Sequence, residues 1–94
     1  MPEMFTFPAI ANSKREKDML SQIAHIQQEV DEAKAEAEAM GYGKTKLCVE
    51  LFDIVHAAET ALRMVYEETP GTVLGAYFMC KSKNESRGYY DDEA

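Results

Sequence analysis

The fold is decided by residues 19–68, whose sequence is MLSQIAHIQQEVDEAKAEAEAM, then GYG, then KTKLCVELFDIVHAAETALRMVYEE. In the first part, apolar residues recur at alternating steps of four and three, which is typical of one face of an α-helix. They are Met19, Ile23, Ile26, Val30, Ala33, Ala37 and Met40. In the second part, an apolar arc at roughly 100° per residue predicts another helix over 44–68. The glycines of Gly41-Tyr42-Gly43 favour a helix end between the two.

The flanking sequence predicts where these helices begin and end. Ser13 followed by Glu16 is a capping-box pattern, so we expect the first helix to begin at Ser13. Residues 1–12 form an arm whose apolar side chains are expected to pack on a helix or on a neighbouring subunit. Thr69-Pro70-Gly71 should end the second helix. Residues 72–83 are predicted to be a third, short helix rather than a strand, and 84–94 a polar tail that closes with acidic residues.

These elements predict an all-α fold. Two antiparallel helices form a hairpin in which each helix has one apolar stripe, so the hairpin needs more helical surface to complete its core. We expect the short third helix to supply part of that surface and a second copy of the chain to supply the rest. The predicted architecture is a helical bundle that is completed by oligomerisation, as a dimer or a tetramer.

Composition limits the organisation and the partners. A chain of 94 residues has room for one domain, 1–94, with one core. Its formal charge of -7 argues against binding to nucleic-acid polymers or to an anionic membrane surface. No apolar run approaches the ~18 residues of a membrane span, and no signal pattern is visible. Cys48 and Cys80 do not form a disulfide framework, which favours reduced thiols and a cytoplasmic protein, with Cys48 in the core.

The acidic residues form a pattern relative to the apolar stripes. Glu29, Glu32 and Glu36 are three and four residues apart and share a face of the first helix. Glu50 and Asp53 share a face of the second helix, with Lys46 one turn earlier on that side. Both acidic faces lie beside the apolar stripes rather than opposite to them, and His25 and Gln22 extend the first of them.

In an antiparallel hairpin, the two acidic faces can meet. Glu32 and Glu50 lie at similar heights above the Gly41-Tyr42-Gly43 turn, given a rise of ~1.5 Å per residue. Converging carboxylates repel one another unless cations neutralise them, and a set of oxygen ligands suits Mg²⁺. Two other interpretations stay open here. The acids can be an ordinary solvated face, and Asp53-x-x-His56 is reminiscent of di-iron bundles, although Glu29-x-x-Glu32 lacks the second histidine that such a site needs.

The spacing Glu29-x-x-Glu32, seventeen residues, Glu50-x-x-Asp53 resembles the signature of the MazG-like nucleotide pyrophosphohydrolases, which belong to the all-α NTP pyrophosphatase superfamily. The local sequences QEVDEA, VELFDIVHAAETALR and KNESRGYY are similar to those of short, stand-alone, phage-type members. The resemblance covers about residues 22–90.

This resemblance implies an oligomeric helical bundle that cleaves nucleoside triphosphates between the α and β phosphates, giving a nucleoside monophosphate and pyrophosphate. It implies Mg²⁺, with Mn²⁺ as a substitute, held by Glu29, Glu32, Glu50 and Asp53. Glu29 or Glu32 would orient or deprotonate the attacking water, and Lys46 would place a positive charge beside the metal. The C-terminal residues Lys83 and Arg87 would contact the phosphates, and Asn84 the sugar or base.

Two other functions are compatible with the same sequence. One is a non-catalytic helical interaction or adaptor module that uses the same bundle, with its acids as solvated surface. The other is a pyrophosphatase that acts on a modified nucleotide or on a non-nucleotide substrate. Outside the acidic cluster, we expect His25 to be a surface histidine and Glu59 to face solvent.

Overall fold

The computed structural model describes residues 5–39 and 44–91, and these residues form three α-helices and no strand. The helices are α1 (Met19–Ala39), α2 (Thr45–Glu68) and α3 (Pro70–Ser86), and a single 3₁₀ turn spans Asn12–Lys14. The Gln22 side chain of α1 donates a 2.8 Å hydrogen bond to the carbonyl of Ala57, whereas Glu29 and Glu32 further along α1 lie against Glu50. Contacts in this order make α1 and α2 antiparallel, and the prediction of an all-α helical hairpin is confirmed.

The first helix begins later than its capping-box pattern predicts. Ser13 lies in the 3₁₀ turn, and α1 begins at Met19. Asp18 caps it, since its Oδ1 accepts a 2.8 Å hydrogen bond from the backbone N–H of Ser21. An aspartate three residues before a free backbone N–H satisfies that donor as well as a serine does, so the Ser13 prediction is wrong. The predicted cap at Gly41-Tyr42-Gly43 lies outside the described residues.

The second and third helices agree closely with prediction. α2 begins one residue after the expected start at 44, and α3 begins with Pro70 at its first position, where a missing N–H costs nothing. α3 continues past the predicted end at 83, so Asn84, Glu85 and Ser86 are helical rather than part of a tail. Gly88, at φ +76°, adopts the left-handed conformation just after the helix.

The chain divides into two compact units, Met1–Met64 and Val65–Ala94, and the division falls within α2. In the first unit, the seam between α1 and α2 is built from small and polar side chains. Ala33, Ala57 and Ala61 are its buried apolar residues, accompanied by buried Gln22 and Thr60. Within the described residues, no helix is long and apolar enough to cross a membrane.

Much of the apolar stripe of α1 lies outside this seam, and Ala33 is its buried member among the described residues. Leu20 is 83% exposed, and Ile23 and Val30 are also exposed, whereas Gln22 and Ala33 are buried. The buried face is therefore rotated by roughly 60° from the apolar stripe, towards the line that contains Glu29. Leu51, Val55 and Leu62 of α2 are exposed in the same way, and so is Cys48, which we expected in the core.

The N-terminal segment is fastened to α2 by two charged side chains. The Glu59 carboxylate accepts hydrogen bonds from the backbone N–H groups of Thr6 (2.8 Å) and Phe7 (2.9 Å). Arg63 donates to the carbonyl of Phe7 at 2.6 Å, and its guanidinium lies 4.2 Å from the centre of the Phe5 ring. Glu59 is therefore a buried anchor, 9% exposed, and the expectation that it faces solvent is wrong. The expectation that the arm packs on a helix is confirmed for these residues.

Candidate metal centre

Three carboxylates from α1 and α2 converge in the first unit. One ligand oxygen from each of Glu29, Glu32 and Glu50 lies within 4.8 Å of the other two. The antiparallel hairpin brings Glu32 and Glu50 to the same height, which confirms that the two acidic faces meet. Asp53 is not within that distance of all three. It is near enough to raise the pKa values of Glu29 and Glu50, and it lines a cavity together with Glu29. We call Glu29, Glu32 and Glu50 the carboxylate cluster.

Burial and mutual repulsion disfavour the ionised forms of Glu29 and Glu50 in the carboxylate cluster. Burial, followed by the nearby charges of Glu32 and Asp53, raises the pKa of Glu29 above its usual range. The same causes, in the same order, raise the pKa of Glu50, and a hydrogen bond between its side chain and that of Glu32 adds to them. His25 opposes the effect at Glu29, since its Nε2 lies 3.3 Å from Glu29 Oε2. The cluster therefore favours either a shared proton or a bound cation.

Two of the carboxylate oxygens are buried without a hydrogen-bond partner among the described residues. These are Glu29 Oε1 and Glu50 Oε1. Carboxylate oxygens in such a position are normally satisfied by hydrogen bonds, water or metal. One oxygen from each of the three carboxylates lies within 4.8 Å of the other two, so adjustment of the side chains would let all three contact one cation.

A cavity of about 140 Å³ adjoins the carboxylate cluster and shares Glu29 with it. Its lining includes Asp53 together with four polar side chains from the two helices, which are Gln22, His25, His56 and Thr60. His56 is held by a stacking contact with Phe7, with the ring centres 4.7 Å apart and the planes 20° from parallel. The Nε2 atom of His56 is buried and has no hydrogen-bond partner among the described residues.

The remaining predicted site residues lie on α2 and α3. Lys46 is exposed in the first turn of α2, one turn before Glu50. Lys83 is in the last turn of α3, and Arg87 is the residue that ends this helix. The amide of Asn84 is 3.5 Å from the Tyr90 hydroxyl and 3.7 Å from the Cys80 sulfur.

Sequence reasoning missed the surroundings of the carboxylate cluster. His25 is 39% exposed, but it contacts Glu29 and lines the cavity, so it is more than an ordinary surface histidine. His56 entered the sequence analysis only through the di-iron alternative. The sequence points to His56 as a site residue through its position three residues after Asp53, because this spacing places both side chains on one face of α2. The apolar arm predicts packing on a helix, but nothing in the sequence places Phe7 against His56.

Comparison with known proteins adds no relative. No family model, curated protein or solved structure matches the chain.

Proposed function

We propose that this protein is a Mg²⁺-dependent nucleoside triphosphate pyrophosphohydrolase that acts on the cytoplasmic nucleotide pool. It hydrolyses the bond between the α and β phosphates, so that one water and one triphosphate give a nucleoside monophosphate and pyrophosphate. One observation supports this most directly: carboxylate oxygens from two helices converge within 4.8 Å, and two of the three side chains, Glu29 and Glu50, have a buried oxygen without a hydrogen-bond partner among the described residues. The resemblance to MazG-like enzymes supplies the reaction.

The residues of the carboxylate cluster have separate parts in this proposal. Glu29, Glu32 and Glu50, with Asp53 beside them, hold the cation, which supplies charge neutralisation for the phosphates. Glu29 or Glu32 accepts the proton of the attacking water or orients it. Lys46 contributes positive charge one turn away from Glu50. The roles of Lys83, Asn84 and Arg87 in binding the phosphates and the nucleoside rest on the resemblance alone.

The direct test is pyrophosphate release from a panel of ribo- and deoxyribonucleoside triphosphates with Mg²⁺. Glu50→Gln keeps the shape of the side chain and removes its charge. We expect it to reduce kcat/KM by at least about 100-fold, since even outer-shell partners of a metal contribute about 10- to 100-fold. Glu38→Gln is the matched control, because Glu38 is exposed on the face of α1 opposite to Glu29 and should keep the parent rate. Absence of pyrophosphate release from every substrate would refute the proposal.

Thermal melting tests the metal site separately from catalysis. If Mg²⁺ binds the folded protein, a concentration ten times the Kd stabilises it by about 1.4 kcal/mol, which is several degrees in a chain of this size. Glu50→Gln should lose most of this shift, and Glu38→Gln should retain it. A melting temperature that does not respond to millimolar Mg²⁺ or Mn²⁺ contradicts a resident metal.

The exposed apolar side chains favour a second candidate, a helical interaction or adaptor module. On α3, Tyr77, Phe78 and Met79 are exposed, as are several apolar residues of α1 and α2. Such a module would use the same bundle without a bound metal, and its melting temperature would not depend on Mg²⁺. A pyrophosphatase with a modified or non-nucleotide substrate would respond to the metal, yet leave the common triphosphates uncleaved.

A further inference from the structure

The cavity beside the carboxylate cluster has a wall built from a distant part of the sequence. Its lining includes Ile10, Lys14 and Arg15, from the segment that precedes α1. This segment is fixed upstream, where Glu59 holds the backbone of Thr6 and Phe7 and where Arg63 holds the Phe7 carbonyl. A carboxylate whose two oxygens both accept hydrogen bonds from backbone N–H groups is well ordered. The cavity is therefore a preformed pocket rather than a gap beside a loose arm.

The lining of the cavity suits a neutral group better than an anion. The cations Lys14 and Arg15 are outnumbered by the carboxylates Glu16, Glu29 and Asp53. A phosphate placed here would therefore meet a net negative lining. A neutral group with hydrogen-bonding atoms avoids that repulsion and still finds polar partners.

Three polar side chains in the lining have unused hydrogen-bonding capacity. Gln22 donates through Nε2 to the Ala57 carbonyl, which leaves its Oε1 as an acceptor. Thr60 donates its hydroxyl to the His56 carbonyl, so its oxygen can also accept. His56 Nε2 is closed off from water and unpaired among the described residues, so a small shift that brought a ligand atom to it would gain a hydrogen bond.

The size of the cavity limits what enters. Its volume of about 140 Å³ corresponds to roughly five water molecules at about 30 Å³ each, which is room for one heterocyclic ring. Pockets that hold drug-sized ligands start at about 300 Å³, so a whole nucleoside triphosphate does not fit. A nucleotide with its base in the cavity must therefore keep its phosphates outside. The carboxylate cluster lies on the side of the cavity that Glu29 lines.

We infer that this cavity binds the heterocyclic base of the nucleotide substrate and that Gln22, His56 and Thr60 read its hydrogen-bonding edge. The inference rests on the proposed function, since it assigns the base of the same substrate whose phosphates meet the carboxylate cluster. His56 is then a specificity-determining residue, held in place by Phe7. A base that offers donors to the Gln22 and Thr60 oxygens is preferred over one that offers only acceptors.

The first experiment uses nucleosides, without phosphate or metal. Isotope-labelled protein in EDTA is titrated with the common ribo- and deoxyribonucleosides at millimolar concentration and followed by NMR. We expect at least one of them to shift the signals of Gln22, His56 and Thr60. His56→Leu should weaken that binding by about tenfold, the loss expected for one hydrogen bond to a ligand. Glu38→Gln should bind like the parent, and a native-like spectrum of the His56 variant shows that it remains folded.

The second experiment measures discrimination between bases. The ratio of kcat/KM between the best and the poorest triphosphate should fall towards one in His56→Leu. Hydrolysis of methyl triphosphate, which has no base, should be reduced less by His56→Leu than hydrolysis of the best nucleoside triphosphate.

The outcomes separate the two proposals. The cavity assignment is overturned if no nucleoside shifts these signals, or if His56→Leu changes neither binding nor base discrimination. Nucleoside binding at these residues without hydrolysis of any triphosphate would retain the cavity assignment and refute the pyrophosphohydrolase. Hydrolysis of triphosphates, with nucleoside binding and base discrimination both unchanged by His56→Leu, would retain the pyrophosphohydrolase and overturn the cavity assignment.

Discussion

At the scale of single residues, the pKa values of Glu29 and Glu50 decide how the metal-free protein responds to pH. Both are raised by burial and by neighbouring carboxylates, so the folded protein holds these protons more tightly than the unfolded chain. The contribution of this pair to stability is therefore full at pH below the ordinary carboxyl pKa and is lost as pH rises through the raised values. At neutral pH the cluster destabilises the metal-free fold.

Glu50→Gln should consequently raise the melting temperature of the metal-free protein at pH 7.5, because it removes one of the repelling charges. The gain should shrink as the pH is lowered through the raised pKa values of the parent cluster, where its carboxylates take up protons. Melts in EDTA across this range measure it, with Glu38→Gln as the control. A difference that stays constant with pH, or a variant that melts lower than the parent at pH 7.5, would contradict the repulsion.

Glu59 behaves in the opposite way. Burial opposes its ionisation, but the backbone N–H groups of Phe7 and Thr6 and the charge of Arg63 outweigh burial and lower its pKa. The contribution of Glu59 to the stability of the fold is present at pH values above the ordinary carboxyl pKa, and it is lost as the pH falls through the lowered pKa of this residue. Glu59→Ala should destabilise the fold by about 2 kcal/mol, the typical loss for hydrogen bonds to a charged group. Thermal melts measure this, and hydrogen exchange should show faster exchange at the amides of Thr6 and Phe7. Unchanged exchange at both would exclude the anchoring role.

At the scale of the elements, the start of α1 depends on Asp18. The backbone N–H of Ser21 lowers the pKa of Asp18 by donating to it, which is how an N-cap carboxylate acts. Asp18→Ala should therefore lower the melting temperature and reduce protection of the Ser21 amide. Ser13→Ala, at the position that the sequence pattern favoured, should change neither. Equal effects of the two substitutions would show that Asp18 has no special role as the cap.

The hairpin and the meeting of the acidic faces could be predicted because they depend on local periodicity and on counting from the turn. Glu32 and Glu50 meet since similar numbers of residues separate them from the turn, nine before Gly41 and seven after Gly43, and sequence alone provides this count. The rotation of α1 could not be predicted in this way. The helix turns Gln22 and Ala33 towards α2 and leaves Ile23 and Val30 outside. The buried residues are small or polar, whereas apolar periodicity gives most weight to the large apolar residues.

At the scale of the whole molecule, the buried apolar residues are too few and too small for a chain that folds alone. Among the described residues, those that are buried and apolar are Ala33, Ala57, Ala61 and Val73. Burial of these four contributes little, since the hydrophobic effect scales with the apolar area removed from water. Large apolar side chains remain outside on both helices of the first unit, with Phe52 56% exposed. Exposed apolar surface of this extent is typical of an interface.

We therefore expect the protein to be a homo-oligomer, a dimer or a tetramer, whose subunits cover these faces for one another. A second copy is the natural occupant because the missing core must be present whenever the chain folds. Light scattering after size-exclusion chromatography should give a multiple of 10.6 kDa. Ile23→Glu and Leu62→Glu should weaken self-association by at least tenfold and lower the melting temperature at low protein concentration, since each would bury a charge. Ala35→Glu is the control, because Ala35 is exposed on a different side of α1 from Ile23 and Val30. A stable monomer at all concentrations, with a melting temperature independent of concentration, would contradict the oligomer.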